Sequence, residues 1–166
     1  MIFIEKIETL PMAISTQLVK KAAVEALRSP PVIPPFSAEK WGERGGAEDA
    51  ELTIVLTDDA QLRELNRDFL GVDAPTDVLS FPSEQTDPET GSRYLGDILI
   101  SVERAAKQAA EAGHDVEAEI QLLVAHGILH LLGHDHAEAE EKARMWKAQA
   151  EILSSLGLGD IQIREN

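Results

Sequence analysis

The chain has 166 residues, 43% of them hydrophobic, and a formal net charge of −15 from 30 acidic and 15 basic side chains. Such a length and hydrophobic content suit one domain with an ordinary core and exclude a disordered chain. The acidic balance is the wrong sign for gripping nucleic acid over a broad surface, the lack of cysteine excludes disulfides and thiolate metal sites, and no stretch approaches the roughly 20 apolar residues of a membrane span.

The first residues, Met1 to Glu8, carry charges where a signal peptide needs an apolar run, so a cytoplasmic protein is expected. Residues 2–8 set Ile2, Ile4 and Ile7 against Glu5 and Glu8 and predict a short, half-buried strand. Ser15 is a candidate cap for a helix running to about Arg28. Residues 29–49 hold half the prolines, followed by Gly42, Gly45 and Gly46, and read as an insertion within one domain spanning 1–166. Within it, Trp41 is expected to pin a loop to the core; the other reading is a docking residue.

Leu52-Thr53-Ile54-Val55-Leu56-Thr57 is rich in β-branched residues and predicts a strand. Asp58 or Asp59 should cap a helix through about Phe69, with Leu62, Leu65 and Phe69 at helical spacing and Gly71 ending it. Residues 76–82 predict a third strand, 83–94 an exposed loop and 96–101 a fourth strand. A helix from about Val102 to Ala112 should stop at Gly113. Asp115 should cap the next helix, whose apolar residues surround it and predict burial. A last helix is expected from about Ala137 to Leu156, with Met145, Trp146 and Ile152 on its apolar side. Residues 157–166 read as a loose tail, in which Ile161 and Ile163 alternate like a short strand. Strands first and long helices last imply an α+β fold, with a mixed sheet of about four strands against helices and a metal-binding helix near the C-terminus.

That helix carries the densest chemistry in the chain. His126 and His130 are four apart, so they share one helix face and can bind one ion together. Gly133 can take the left-handed conformation that ends a helix, letting the chain turn back and deliver His136. The spacing predicts a three-histidine metal site with one ion per chain. Zn²⁺ suits neutral imidazoles best, with nickel or another divalent metal as the alternative. Three protein ligands leave a coordination position open for water, the arrangement of catalytic zinc. His114 and His134 read as outer or surface residues.

The spacing also matches the zinc-protease pattern H-E-x-x-H-x-x-G-x-x-H, except that the position of the glutamate base holds Gly127. A zinc metalloprotease is therefore an alternative that lacks its base. A glycine inside a helix costs about 1 kcal/mol relative to alanine. It implies either space for substrate beside the metal or close helix packing.

The run His126-Gly127-x-Leu129-His130-Leu131-x-Gly133-His134-Asp135-His136 resembles the signature of the YbeY family of bacterial rRNA maturation factors. Leu65-Asn66 through Phe69, then Pro75 to Pro82, resembles its second block, and Leu95-Gly96-Asp97-Ile98 its third. The resemblance implies a metal-dependent endoribonuclease acting on ribosomal RNA, notably the 3′ end of the small-subunit RNA, and in ribosome quality control. It carries the metal ligands onto His126, His130 and His136. As partners it implies small-subunit ribosomal proteins and an assembly GTPase, with no membrane. Thr76 and Ser80, in the matching block, become candidates to line the substrate groove.

The family commonly has arginine where this chain has Leu70. Arg67, one turn earlier, is a candidate substitute, though an ordinary surface role competes with it. Asp135 would either assist the metal-bound water or orient a histidine ligand. A ribosome-assembly factor with a structural metal and weak nuclease activity is the third reading.

Overall fold

The elements follow from local signals that agree with one another. The computed structural model describes residues 1–30, 50–83, 85, 88–89 and 91–161. Its strands are β1 (Ile2–Lys6), β2 (Glu51–Thr57), β3 (Val78–Pro82) and β4 (Tyr94–Ser101). Its described helices are α1 (Thr16–Leu27), α2 (Asp59–Leu70), α3 (Val102–Ala112), α4 (Val116–Leu131) and α5 (Ala139–Ser155). Most of the 29–49 insertion, including Trp41, and Ile163 with the end of the tail lie outside the described residues.

The strands form one mixed sheet in the order β1-β2-β4-β3. β1 runs parallel to β2, and β2 parallel to β4, while β3 is antiparallel to β4. This is the α+β domain with a four-stranded mixed sheet that the element order implied.

Strand alternation sorts the side chains between two faces. Leu52, Ile54 and Leu56 of β2 and Ile98 and Ile100 of β4 are fully buried and join the main core with α1, α4 and α5. Leu79 and Leu99 face the other way and pack with Leu62 of α2. The sheet therefore lies between helices, with a small second cluster beneath α2.

Caps set the helix ends. Ser15 Oγ accepts from Leu18 N–H at 3.4 Å, and Asp58 Oδ1 accepts from Gln61 N–H at 2.9 Å. Asp58 rather than Asp59 is thus the cap of α2. Asp115 occupies the corresponding position before α4, but its side chain makes no capping bond. The carboxylate still lies at the positive end of the helix, with Glu117 and Glu119 in the first turn. α5 begins two residues later than expected, because His136, Ala137 and Glu138 extend the loop that carries the third histidine.

The second block of the resemblance has a structural purpose. Asn66 is buried on α2, and its side-chain amide donates to Ala74 O at 3.0 Å, tying down the turn before β3. Asp77 follows, also buried, accepting from Val78 N–H at 2.8 Å and from Gln108 Nε2 at 3.2 Å. Asp77 already reaches β4 through its main-chain carbonyl, which accepts from Ser101 N–H at 2.9 Å, and the regular strand runs from Val78 rather than Thr76. β4 opens with a bulge, since Glu51 pairs with Tyr94 but Leu52 with Gly96. Gly96 has φ +142°, and a Cβ there would lie 2.1 Å from Phe81 O. Only glycine lets β3 and β4 approach so closely at that point.

Candidate metal centre

α4 delivers two histidines to one spot, and the turn after it delivers the third. Gly133 has φ +99°. Gly133 N–H bonds His130 O at 3.1 Å and His134 N–H bonds Leu129 O at 2.9 Å, the paired closure of a Schellman motif. The chain reverses there and returns His136 towards α4. Ring centroids of His136 lie 5.8 Å from His126 and 5.2 Å from His130. Each of the three residues offers one ligand atom, and the three atoms lie within 4.8 Å of one another.

The hydrogen bonds around the rings decide which nitrogens face inward. His126 Nδ1 lies 3.0 Å from Gln149 Oε1, and His130 Nδ1 lies 3.0 Å from the carbonyl of His134. Both partners are acceptors, so each Nδ1 must carry the hydrogen and donate it. A neutral ring protonated at Nδ1 has a lone pair at Nε2. The two Nε2 atoms face each other at 3.1 Å. Two lone pairs so placed repel unless something cationic lies between them. A zinc–imidazole bond is about 2.0–2.1 Å, so one ion reaches both nitrogens easily. The residues present therefore fit a divalent metal, and their tautomers are set for it by contacts on the far side of each ring.

Burial reinforces this. It lowers the His126 pKa below its ordinary 6.5, with the Gln149 bond opposing. Burial, helped by the adjacent His126 and His136 rings, takes His130 from 6.5 to about 4. Both rings are neutral at pH 7 and able to ligate. The folded chain resists protonating them while the unfolded chain takes up protons below about 6.5. The metal-free protein therefore binds fewer protons folded than unfolded in this window, and stability falls as pH drops from about 6.5 towards about 4. Urea midpoints of chelator-treated protein should decline over that range, more steeply in the parent than in His130→Ala. Equal slopes would remove His130 from the account.

The other named residues take different places. Asp135 is exposed, and its Oδ1 accepts from the main-chain N–H of His136 at 2.7 Å. It thus steadies the segment carrying the third histidine and bonds no histidine ring. His134 is buried and acts through its carbonyl. His114 pairs with Glu119 at 2.5 Å, away from the triad. Ser80 Oγ donates to Gly127 O at 3.3 Å, pinning β3 to α4 between the two helical histidines. Thr76 is half-buried just before β3.

Gly127 has a clear reason. A Cβ there would meet Ile98 Cγ2 at 3.0 Å, Ile98 Cδ1 at 3.2 Å and Ser80 Oγ at 3.2 Å. The glycine serves close packing of helix on sheet, and its missing side chain leaves no room for substrate.

Arg67 is not brought to the site. It lies on α2, which packs on the opposite face of the sheet from α4, and its Nε bonds Asp68 at 3.0 Å. Leu70 at the end of the same helix is 60% exposed.

Two contacts come from α5. Gln149 is 1% exposed and holds His126. Trp146 lies edge-on to both His126 and His136, with centroids 6.2 Å and 5.8 Å away. The sequence carried a signal for the first: Gln149 is a lone polar residue in the stripe Met145, Gln149, Ile152, at helical spacing among apolar neighbours.

The family model described as Endoribonuclease YbeY matches residues 36–157. A protein of Pelotomaculum thermopropionicum called Endoribonuclease YbeY is 40% identical over 152 residues, covering 90% of this chain and 99% of its own. One of the same description from Roseiflexus sp. (strain RS-1) is 52% identical over 114 residues, covering 65% of this chain and 71% of its own. A solution structure from Thermotoga maritima shares the fold, with a TM-score of 0.55 at 24% identity, over 99% of this chain and 97% of that one.

Proposed function

The chain belongs to the YbeY endoribonuclease family, and on that premise we propose that it cuts single-stranded RNA at a divalent metal, Zn²⁺, held by His126, His130 and His136. The observation that carries the proposal is the pair of Nε2 lone pairs facing each other at 3.1 Å, with His136 beside them. When bound there, a metal would bring the pKa of its water from about 15.7 to about 7 and polarise a phosphoryl oxygen.

The chain's own residues do the positioning. Gln149 and the His134 carbonyl hold two ligands, and Asp135 steadies the backbone of the third. No carboxylate stands at position 127, so the protease reading is dropped. Thr76 and Ser80 are proposed to flank the RNA strand, and Ser80 also seats α4 through its bond to Gly127 O.

The net charge of −15 confines RNA contact to the neighbourhood of the metal. Specificity for ribosomal RNA, at the 3′ end of the small-subunit precursor, is then proposed to come from small-subunit ribosomal proteins and an assembly GTPase in the cytoplasm. No helix of the described residues is long and apolar enough to cross a membrane.

A second reading has one specific observation behind it. Arg67 is turned away, and Leu70 is where relatives commonly hold a cation, so a metal-stabilised assembly factor with weak nuclease activity is also consistent. One experiment separates the two. Metal-loaded protein is incubated with precursor RNA, with and without chelator, alongside Leu70→Arg. Chelator-sensitive cleavage is expected. The variant puts its cation at the end of α2, on the sheet face away from α4, and should change cleavage far less than the about 10²–10³ that a donor built into an active site supplies. Intact precursor in every tube, with ribosome assembly disturbed on deletion, would install the second reading instead.

A further inference from the structure

Gln149 differs from its surroundings. It lies on α5, thirteen residues beyond the last histidine in sequence, yet its side chain is 1% exposed and reaches back to α4. Its neighbours at helical spacing, Met145 and Leu153, are wholly apolar and buried. Burying an amide in such company is unfavourable unless its polar atoms are bonded. Its carbonyl accepts from His126 Nδ1 at 3.0 Å.

We propose that Gln149 is a positioning residue for the metal centre, which fixes the tautomer and ring angle of His126 and thereby sets metal affinity. The inference rests on the reading that the triad holds the metal. The chemistry runs in one direction. Oε1 can only accept, so it demands a hydrogen on Nδ1. The lone pair is then forced onto Nε2, the nitrogen that faces His130. The bond also stops the ring from rotating about its own axis, which would carry Nε2 away from the other two ligands. His130 has a main-chain carbonyl for the same purpose. His126 stands earlier on α4, where main-chain carbonyls are engaged in the helix, so the acceptor has to come from a neighbouring element. α5 supplies it, and in doing so couples the seating of the last helix to the quality of the site. Trp146, one turn earlier on α5, lies edge-on to the same ring.

A carboxylate acceptor is the commoner arrangement and makes the ligated imidazole more basic. An amide accepts without adding a charge to a buried position. Gln149→Leu keeps the shape and removes the acceptor. Gln149→Glu keeps the acceptor.

The test measures Zn²⁺ affinity by competition with a chromogenic chelator, and follows the His126 ring nitrogens by ¹⁵N NMR in the zinc-loaded protein. Parent protein should bind about one ion per chain, and a slowly exchanging Nδ1–H should be visible for His126. Gln149→Leu should weaken affinity by about 10–100-fold, as loss of such outer partners does, and lose that slow exchange. Gln149→Glu should bind at least as tightly as the parent. If the parent binds no zinc, the metal reading itself fails. If the parent binds and Gln149→Leu binds within twofold, the metal reading stands and the role given to Gln149 is wrong. Should the leucine variant not fold, the parent spectrum still decides: a His126 Nδ1 proton exchanging as fast as that of an exposed imidazole overturns the inference.

Discussion

His130→Ala should retain less than about a tenth of a metal ion per chain after dialysis and cleave RNA at least about a hundredfold more slowly, since loss of an outer partner alone already costs about 10–100-fold. His130 is the central member of the triad. Its Nε2 faces that of His126 at 3.1 Å, and its ring lies nearer to His136 than the His126 ring does. It is also the residue that links α4 to the following turn, through Nδ1 and the carbonyl of His134. Alanine removes a ligand and at the same time frees the segment that delivers the third one. The loss of that hydrogen bond should cost the metal-free protein only about 0.5–1.5 kcal/mol, so the variant should stay folded. Elemental analysis and RNA cleavage on the same preparation are the measurements, with circular dichroism to show an intact fold. A variant that keeps its full metal content would refute the ligand assignment outright.

The metal site was legible from sequence because its geometry is local. His126 and His130 are tied by helix periodicity, and Gly133 marks the one place where the chain can reverse and bring back His136. The strands were legible for a similar reason: Leu52 to Thr57 has the composition and alternation of a half-buried strand and forms one. What sequence could not show was long-range. Arg67 and Leu70 sit on the same helix, and their distance from the triad depends on which face of the sheet α2 covers. That is set by the alternation of Leu79 and Leu99 against Ile98 and Ile100 once the strands are paired, and pairing order is invisible in the chain. Gln149 is the reverse case. Its polarity within an apolar stripe was visible, but its partner lies 23 positions away on another helix. β3 begins at Val78, two residues later than the sequence predicts; Asp77 bonds β4 through its carbonyl to Ser101 N–H, while its carboxylate reaches Gln108 on α3, a contact that local alternation does not show.

Gly127→Glu, the change that would complete the protease pattern, should strongly destabilise the fold and create no protease. The pattern alone suggests the opposite, since only this one residue separates the chain from the zinc-protease spacing. The packing decides it. Even a Cβ at 127 would meet the fully buried Ile98 at 3.0 Å and 3.2 Å and Ser80 Oγ at 3.2 Å. Helical geometry directs the rest of a glutamate further into that contact, between α4 and the β3–β4 pair. Overpacking a tight core costs about 1–3 kcal/mol and sometimes more. A carboxylate carried into an apolar contact adds about 1–3 kcal/mol even by the mild scale of protein mutations, and more if it stays ionised. Against a whole-domain stability of about 5–15 kcal/mol, that sum of about 2–6 kcal/mol removes a large share of the margin. Gly127→Ala is the companion measurement. It gains about 1 kcal/mol of helix propensity and meets the same atoms with a single methyl, so its urea midpoint should shift far less than that of the glutamate variant. Folded, zinc-loaded Gly127→Glu that digests casein would show that packing does not exclude the base, and would reopen the protease reading for this helix.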